Sequence, residues 1–237
     1  MVPIIAEKGY GKSIICGYAR IEGSAVGIVA NQREIIKTKK GELQFGGVIY
    51  SDSADKAARF IANCNQKKIP LLFIQDVTGF MVGSKSEQGG IIKDGAKMVN
   101  AMSNSVVPKF TIIIGNSYGA GNYAMCGKAY DPRIIISWPT AKLAVMGGSQ
   151  AAKVLLQIEK TSIKSKGGEI SKELEEQILK NIQDKYNHQT SSYYAASRLW
   201  IDEIIDPINT RKVIALGIEA ANNSPITERY NPGVIQS

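Results

Sequence analysis

Three kinds of chemistry compete for one stretch of this sequence, Gly115 to Gly127, GNSYGAGNYAMCG, which follows the apolar run Phe110-Thr111-Ile112-Ile113-Ile114. Gly115-Asn116-Ser117-Tyr118-Gly119 spells G-x-S-x-G, the turn that presents a hydrolase serine. Gly119-Ala120-Gly121-Asn122-Tyr123-Ala124 spells G-x-G-x-x-A, a dinucleotide fingerprint. In the third parse no side chain reacts. Gly119, Ala120 and Gly121 lack bulk, so two backbone N–H groups stand bare at a helix start, where the dipole adds positive potential and a developing oxyanion can be held.

Each parse makes its own demand on the rest of the chain. A serine nucleophile needs a histidine placed after it, and the single histidine, His188, lies in the polar stretch KNIQDKYNHQ, four residues after Asp184. The bland alternative is that Ser117 is a loop hydroxyl bonding to nearby backbone. A dinucleotide site needs its first glycine directly after the strand and an acidic residue about 20 positions on. Here Gly115 to Tyr118 intervene, and Ile134-Ile135-Ile136-Ser137-Trp138 carries no carboxylate. The amide parse asks for a companion loop, and Val77-Thr78-Gly79-Phe80-Met81-Val82-Gly83 supplies one, with Gly89-Gly90 before the next helix. Losing one such donor removes about 2.7–4 kcal/mol of transition-state stabilisation, so paired amides need no histidine beside them.

The elements that must position these residues follow from hydrophobic periodicity. Strand-like runs occupy Ser13 to Ile21, Ala25 to Ala30 and Ile69 to Gln75, and Ser53 to Lys67 repeats its apolar positions at helical spacing, with Ser51, Asp52 or Ser53 as cap. Asp76 to Gly90 reads as a glycine-punctuated loop, and Ile91 to Asn104 as a helix with its apolar face on Ile92, Ala96, Val99 and Met102 or Ser103. Further strands are expected at Phe110 to Ile114, Arg133 to Ser137 and Lys142 to Val145, with a helix beginning near Gly121 and another over Gly148 to Ile158. Lys160 to Gln189 is dense in charge, with a narrow stripe of Ile170, Leu174, Ile178 or Leu179, and Ile182, as for a helix across a surface or on a partner subunit. Ser191 to Trp200 and Thr210 to Asn222 read as helices joined by a short extended link at Ile204 to Pro207. Alternating strands and helices make this an α/β chain with largely buried strands.

Bulk properties set outer bounds. The 237 residues suffice for one large domain, and 44% apolar with 21% charged residues are ordinary globular proportions. The formal charge of +8 suits phosphates or an anionic protein surface, or simply a solvated lysine-rich exterior. Three scattered cysteines, Cys16, Cys64 and Cys126, outline neither a disulfide framework nor a zinc set. No run reaches the roughly 18 apolar residues of a membrane span, and MVPIIAEKGYGKS lacks the layout of a secretion signal. A soluble, intracellular chain is expected.

Four blocks then carry a resemblance. Gln75 to Gly83 (QDVTGFMVG), Gly89 to Lys97 (GGIIKDGAK), Tyr118 to Tyr123 (YGAGNY), and Trp138 to Lys142 with Val145 to Gly148 (WPTAK and VMGG) resemble the carboxyltransferase β subunits of biotin-dependent acyl-CoA carboxylases, most of all the methylcrotonyl-CoA carboxylase branch. The likeness continues through Leu199-Trp200-Ile201-Asp202 and Ile205-Asp206-Pro207, and so over nearly the whole chain. It implies a crotonase/ClpP-like spiral of ββα units, one domain over residues 1–237 with the helical excursion of 160–190 inside it, equivalent to the second half of a two-domain relative. In such relatives this half meets carboxybiotin on a carrier protein and the other half binds the acyl-CoA. Carried over, the amides of Ala120 and Gly121 would hold the ureido oxygen of biotin and stabilise the charge that appears there as the carboxyl group leaves. Gly79, Phe80, Gly83, Gly119, Tyr123, Gly147 and Gly148 would line the biotin and substrate site, Tyr123 at a position associated with acyl-chain choice. No metal is implied, and the lack of a zinc-binding cysteine cluster separates the chain from the split acetyl-CoA type. The implied partners are the biotin carboxyl carrier or biotin carboxylase subunit, the acyl-CoA-binding half and further copies of the chain, with no nucleic acid and no membrane span. The implied location is the cytoplasm, or the mitochondrial matrix in a eukaryote. A sodium-pumping decarboxylase subunit, a non-catalytic module that docks a biotin carrier, and a serine hydrolase stand as the alternatives.

Overall fold

The computed structural model describes residues 9–38, 41–165, 171–224 and 226–234. In chain order the strands are β1 (Ile14–Ile21), β2 (Ser24–Asn31), β3 (Ile36–Lys37), β4 (Leu43–Gln44), β5 (Val48–Ile49), β6 (Leu71–Val77), β7 (Gly79–Phe80), β8 (Lys109–Tyr118), β9 (Ile134–Ser137), β10 (Lys142–Ala144) and β11 (Glu203–Ile204). The helices are α1 (Ser51–Gln66), α2 (Ser84–Gln88), α3 (Ile91–Ser103), α4 (Gly119–Ala124), α5 (Gly148–Ser165), α6 (Lys172–Gln189), α7 (Ser192–Ala196) and α8 (Thr210–Asn222).

Glu22 and Gly23, both at positive φ, turn β1 into β2 as a two-residue hairpin whose register runs from Ile14 opposite Asn31 to Ile21 opposite Ser24. Thereafter pairing is parallel, β2 to β6 to β8 to β9 to β11, with β10 beside the far end of β8. Parallel neighbours need crossovers, and the two that lead to β6 and β8 share a form: a long strand in the main sheet, a short strand outside it (β5, then β7), and a returning helix (α1, then α3), whereas β8 reaches β9 through α4 alone and a short turn. The short strands β5 and β7 pair with each other in a second, two-stranded sheet. This is the expected spiral of strand-strand-helix turns.

Both faces of the sheet are covered, which is why its central strands read as continuous Ile, Leu, Val and Phe runs. On one face Phe73, Leu71 and Ile14 pack with Ala57, Ala58 and Ile61 of α1 and Met98 and Met102 of α3. On the other, Phe110, Ile112 and Ile136 meet Ile214 and Ile218 of α8. Full burial of each such side chain contributes roughly 1.5–3 kcal/mol. Asn65, near the end of α1, fastens the first face: its amide oxygen accepts from the N–H groups of Val106 and Val107 and from the Ser105 hydroxyl, while its Nδ2 donates to the Ile61 carbonyl.

Several sequence expectations are corrected. The cap residue of α1 is Tyr50, and Ser53 serves from inside the first turn by accepting the Tyr50 N–H at 2.9 Å. The buried face of α3 is Ile91, Gly95, Met98, Ala101 and Met102, one position round from the expected stripe, and Ile92 is 73% exposed. The rotation follows from Gly95, where a Cβ would lie 2.9 Å from the Phe80 ring, so that Phe80 fills the notch and the helix seats on its glycine. The loop expected over Asp76 to Gly90 contains β7 and α2. The helix at Ser191 stops at Ala196 rather than Trp200, because Leu199 takes φ 57°. In the charged excursion no described residue of α6 is buried, in keeping with a surface helix, and α5 runs on to Ser165. Ile170 of the expected stripe lies outside the described residues.

Two measurements test this packing. Asn65→Ala strands two backbone donors and should lower the free energy of unfolding by about 2–4 kcal/mol, read from urea denaturation. Burial pushes the thiols of Cys64 and Cys126 up to about 12 and about 11, so at pH 8 both should resist a disulfide-exchange reagent until the chain is unfolded.

Candidate active site

A break in register between β6 and β8 creates the site. Gln75 pairs with Ile113 and Val77 with Ser117, so β8 spends two more residues than β6 over the same interval. The surplus, around Gly115 and Asn116, bulges out, as extra residues in a strand must. Asp76 holds the bulge: its Oδ1 accepts the Asn116 N–H at 2.8 Å, and Arg33 Nε lies 3.2 Å from Oδ2. A Cβ on Gly115 would fall 2.5 Å from that same Oδ1. The first glycine of G-x-S-x-G is therefore space for a carboxylate.

Ser117 is 1% exposed and fully engaged. Its Oγ donates to Gln75 Oε1 at 2.6 Å and accepts from Asn122 Nδ2 at 2.7 Å. His188 sits exposed at the end of α6, its ring centroid 5.7 Å from that of Tyr194. The serine is a structural hydroxyl, as the bland alternative had it, although its partners are side-chain amides rather than backbone.

Beyond Ser117 the chain turns through Gly119 at φ 50° into α4. Gly119, Ala120 and Gly121 are the first three residues of that helix, so their N–H groups have no carbonyl one turn behind them within it. Gly119, Ala120 and Tyr123 line a cleft of about 860 Å³ whose walls are largely apolar: Val145 and Met146 after β10, Leu155 of α5, and Trp200. Gly121 faces the other way, into the companion loop, where a Cβ would lie 2.5 Å from Val77 Cγ2 and 3.1 Å from the Gly79 Cα. The two glycine loops touch through backbone.

Residues 6–233 match the carboxyl transferase domain model. The chain belongs to this family. It is 49% identical over 217 residues to the mitochondrial methylcrotonoyl-CoA carboxylase beta chain of Dictyostelium discoideum, covering 92% of this chain and 34% of the relative. It is 45% identical over 219 residues to the biotin-dependent 3-methylcrotonyl-coenzyme A carboxylase beta1 subunit of Mycobacterium tuberculosis, covering 92% and 39%. Among solved structures, the geranyl-CoA carboxylase beta subunit of P. aeruginosa superposes with a TM-score of 0.75 at 37% identity, over 94% of this chain and 40% of that one. The chain thus spans about a third to two fifths of the length of these relatives, and its spiral is the crotonase-like fold of carboxyltransferase β subunits.

Within this carboxyl transferase domain the expected site residues separate into two groups. Gly119, Ala120 and Tyr123 line the cleft, and Gly121 with Gly79 backs it. Tyr123 is half exposed at the cleft and stands edge-on to Tyr130, with 5.9 Å between ring centroids. Phe80, Gly83, Gly147 and Gly148 lie off the lining: Phe80 packs on Gly95, Gly83 precedes α2 at φ 111°, the Gly147 carbonyl accepts the Ala151 N–H at 2.9 Å, and Gly148 borders a separate recess with Tyr118 and Lys142. Sequence reasoning missed the far wall, Leu155, Tyr186 and Trp200, and the polar pair Gln75 and Asn122. Tyr186 carried one signal, an aromatic residue continuing the narrow stripe of a charged helix; its hydroxyl donates to the Met146 carbonyl at 2.6 Å.

Gly119 cannot be enlarged, since its φ is left-handed and a Cβ would lie 2.7 Å from the Val145 carbonyl oxygen. Gly119→Val should lower stability by about 2 kcal/mol or more in urea denaturation, because a β-branched residue resists that backbone conformation in addition to the clash.

Proposed function

We propose that the chain is the biotin-facing half of a carboxyltransferase, moving a carboxyl group between carboxybiotin on a carrier protein and the α or vinylogous carbon of an acyl-CoA. What carries the reading is the start of α4, where helix-start amides on an apolar cleft have no intrahelical acceptor. The same feature tests whether biotin fits. A small bicyclic urea needs an apolar enclosure and hydrogen-bond donors for its oxygen; the largely apolar cleft and the helix-start N–H groups without intrahelical acceptors support that fit, and a Cβ on Gly119 would meet the Val145 carbonyl oxygen beside the cleft. When bound and carboxylated, biotin supplies the labile carboxyl group and a urea oxygen that becomes negative as that group departs.

The chain's own part is then electrostatic and exclusionary. Ala120 and Gly121 donate main-chain N–H groups to the urea oxygen, a contact that strengthens as charge develops. Val145, Met146, Leu155 and Trp200 keep water out, which raises the worth of each donor. Tyr123, at the cleft and beyond the donors, is placed to meet the acyl chain. Gly79 supports Gly121 from behind, and Phe80 and Gly83 shape the loop that does so. Gly147 and Gly148 start α5 and so set one wall.

The acyl-CoA is held by a complementary half, and further copies complete the assembly. Exposed apolar side chains beside the cleft, including Val154, Ile158, Tyr193 and Leu199, support such a contact. No helix among the described residues is long and apolar enough to cross a membrane, and the proposed location is the cytoplasm, or the mitochondrial matrix in a eukaryote.

The test pairs two variants in the chain assembled with an acyl-CoA-binding half. Gly121→Ala and Gly121→Pro introduce the same Cβ, and only proline deletes the donor. Transfer from a carboxylated acyl-CoA to free biotin should be about 100-fold or more slower in the proline variant than in the alanine one. Equal rates in the two, with the alanine variant active despite the contact of its Cβ with Val77, would refute the assignment.

A further inference from the structure

We infer that Gln75, Ser117 and Asn122 act as one positioning unit for the amides of Ala120 and Gly121, an inference that rests on the function proposed above. A six-residue helix makes too few internal hydrogen bonds to hold its own orientation. Something outside α4 must aim its first turn.

The three side chains form a chain of hydrogen bonds with only one possible sense. The Met125 carbonyl at the C-cap of α4 can only accept, so the Gln75 group facing it at 2.7 Å is the Nε2 donor. Oε1 therefore faces Ser117, whose single hydroxyl proton goes to it at 2.6 Å. The Ser117 oxygen is left to accept, and Asn122 Nδ2 donates to it at 2.7 Å. The residue before the N-cap, the middle of the helix and its C-cap are thus tied to one amide on β6.

Solvent cannot substitute at Gln75 or Ser117, which are 0% and 1% exposed, and only the Asn122 end of the network is partly open. An interrupted buried network leaves donors and acceptors without partners, and the helix must tilt to satisfy them. Main-chain donors serve a developing charge only when aimed to a few tenths of an ångström, so the tilt is felt in the rate of transfer. Ser117 and Asn122 also border the cleft, but Ser117 Oγ and Asn122 Nδ2 are spent on Gln75 and on each other, so the three act through α4 as positioning residues rather than catalytic ones.

The experiment uses the chain assembled with the acyl-CoA-binding half, and reads kcat and KM for the acyl-CoA together with the thermal midpoint. Ser117→Ala and Asn122→Ala should each lower kcat about tenfold, the equivalent of one hydrogen bond, with KM near its original value. Because the residues act as a unit, the double variant should fall little further than either single one. Ser117→Thr, which keeps the hydroxyl, should recover most of the lost kcat.

Unchanged kcat in Ser117→Ala and Asn122→Ala overturns the inference, as does a double variant in which the two losses multiply. Should Ser117→Ala fail to fold, the partly buried Asn122 decides the matter alone. The Gly121 pair separates the two levels. Equal rates for Gly121→Pro and an active Gly121→Ala sink the amide reading itself, whereas a dead proline variant beside a fully active Ser117→Ala sinks only the positioning role.

Discussion

Gln75 and Asp76 are neighbours on β6, and because successive strand residues point to opposite sides they reach two different parts of the β8–α4 segment. Asp76 takes the Asn116 N–H and fills the space that Gly115 leaves open. Gln75 takes the Ser117 hydroxyl and gives its own N–H to the Met125 carbonyl. Between them they stabilise a strand two residues too long for its partner. With β8 in regular register, α4 would begin elsewhere, and the cleft with it.

The result is a site assembled almost wholly from main chain. Glycines recur in it for distinct steric reasons: Gly115 makes room for a carboxylate, Gly119 supplies left-handed backbone under the Val145 carbonyl, and Gly121 lets one loop lie directly on another. The donors proposed there are main-chain groups, which do not titrate, although Tyr123, Lys128, Tyr186 and Tyr194 also line the cleft. In the function proposed above, the site's strength would come from donors that cannot relax and from walls that keep water away, which would place the burden on packing rather than on acid and base side chains.

Legibility in the sequence followed the local physics. The main strands and the long helices were readable because each has a strong apolar period, and a helix start near Gly121 was readable because Gly119-Ala120-Gly121 follows a strand. The family blocks then identified the fold. The orientation of α3 was not readable, because it depends on Phe80 entering a notch at Gly95, a contact between residues far apart in the chain. Likewise the bulge in β8 and the Gln75 network arise from pairing with β6, which no pattern within GNSYGAGNYAMCG records. The far wall was hidden for a related reason: Tyr186 belongs to a segment dominated by charge and Leu155 to an ordinary helix, and only tertiary folding turns these residues toward the site.

That wall is furnished by the hairpin of α5 and α6, whose second helix has no buried residue among those described. The start of α4, proposed to supply the donors, sits on the sheet side, while the surface opposite belongs to an appendage fastened mainly to itself. Changes along the appendage therefore alter the bore of the cleft without disturbing the sheet or its hydrogen-bonded anchor. A lineage could resize the accepted molecule by editing one detachable flank, leaving the charge-holding machinery as it stands.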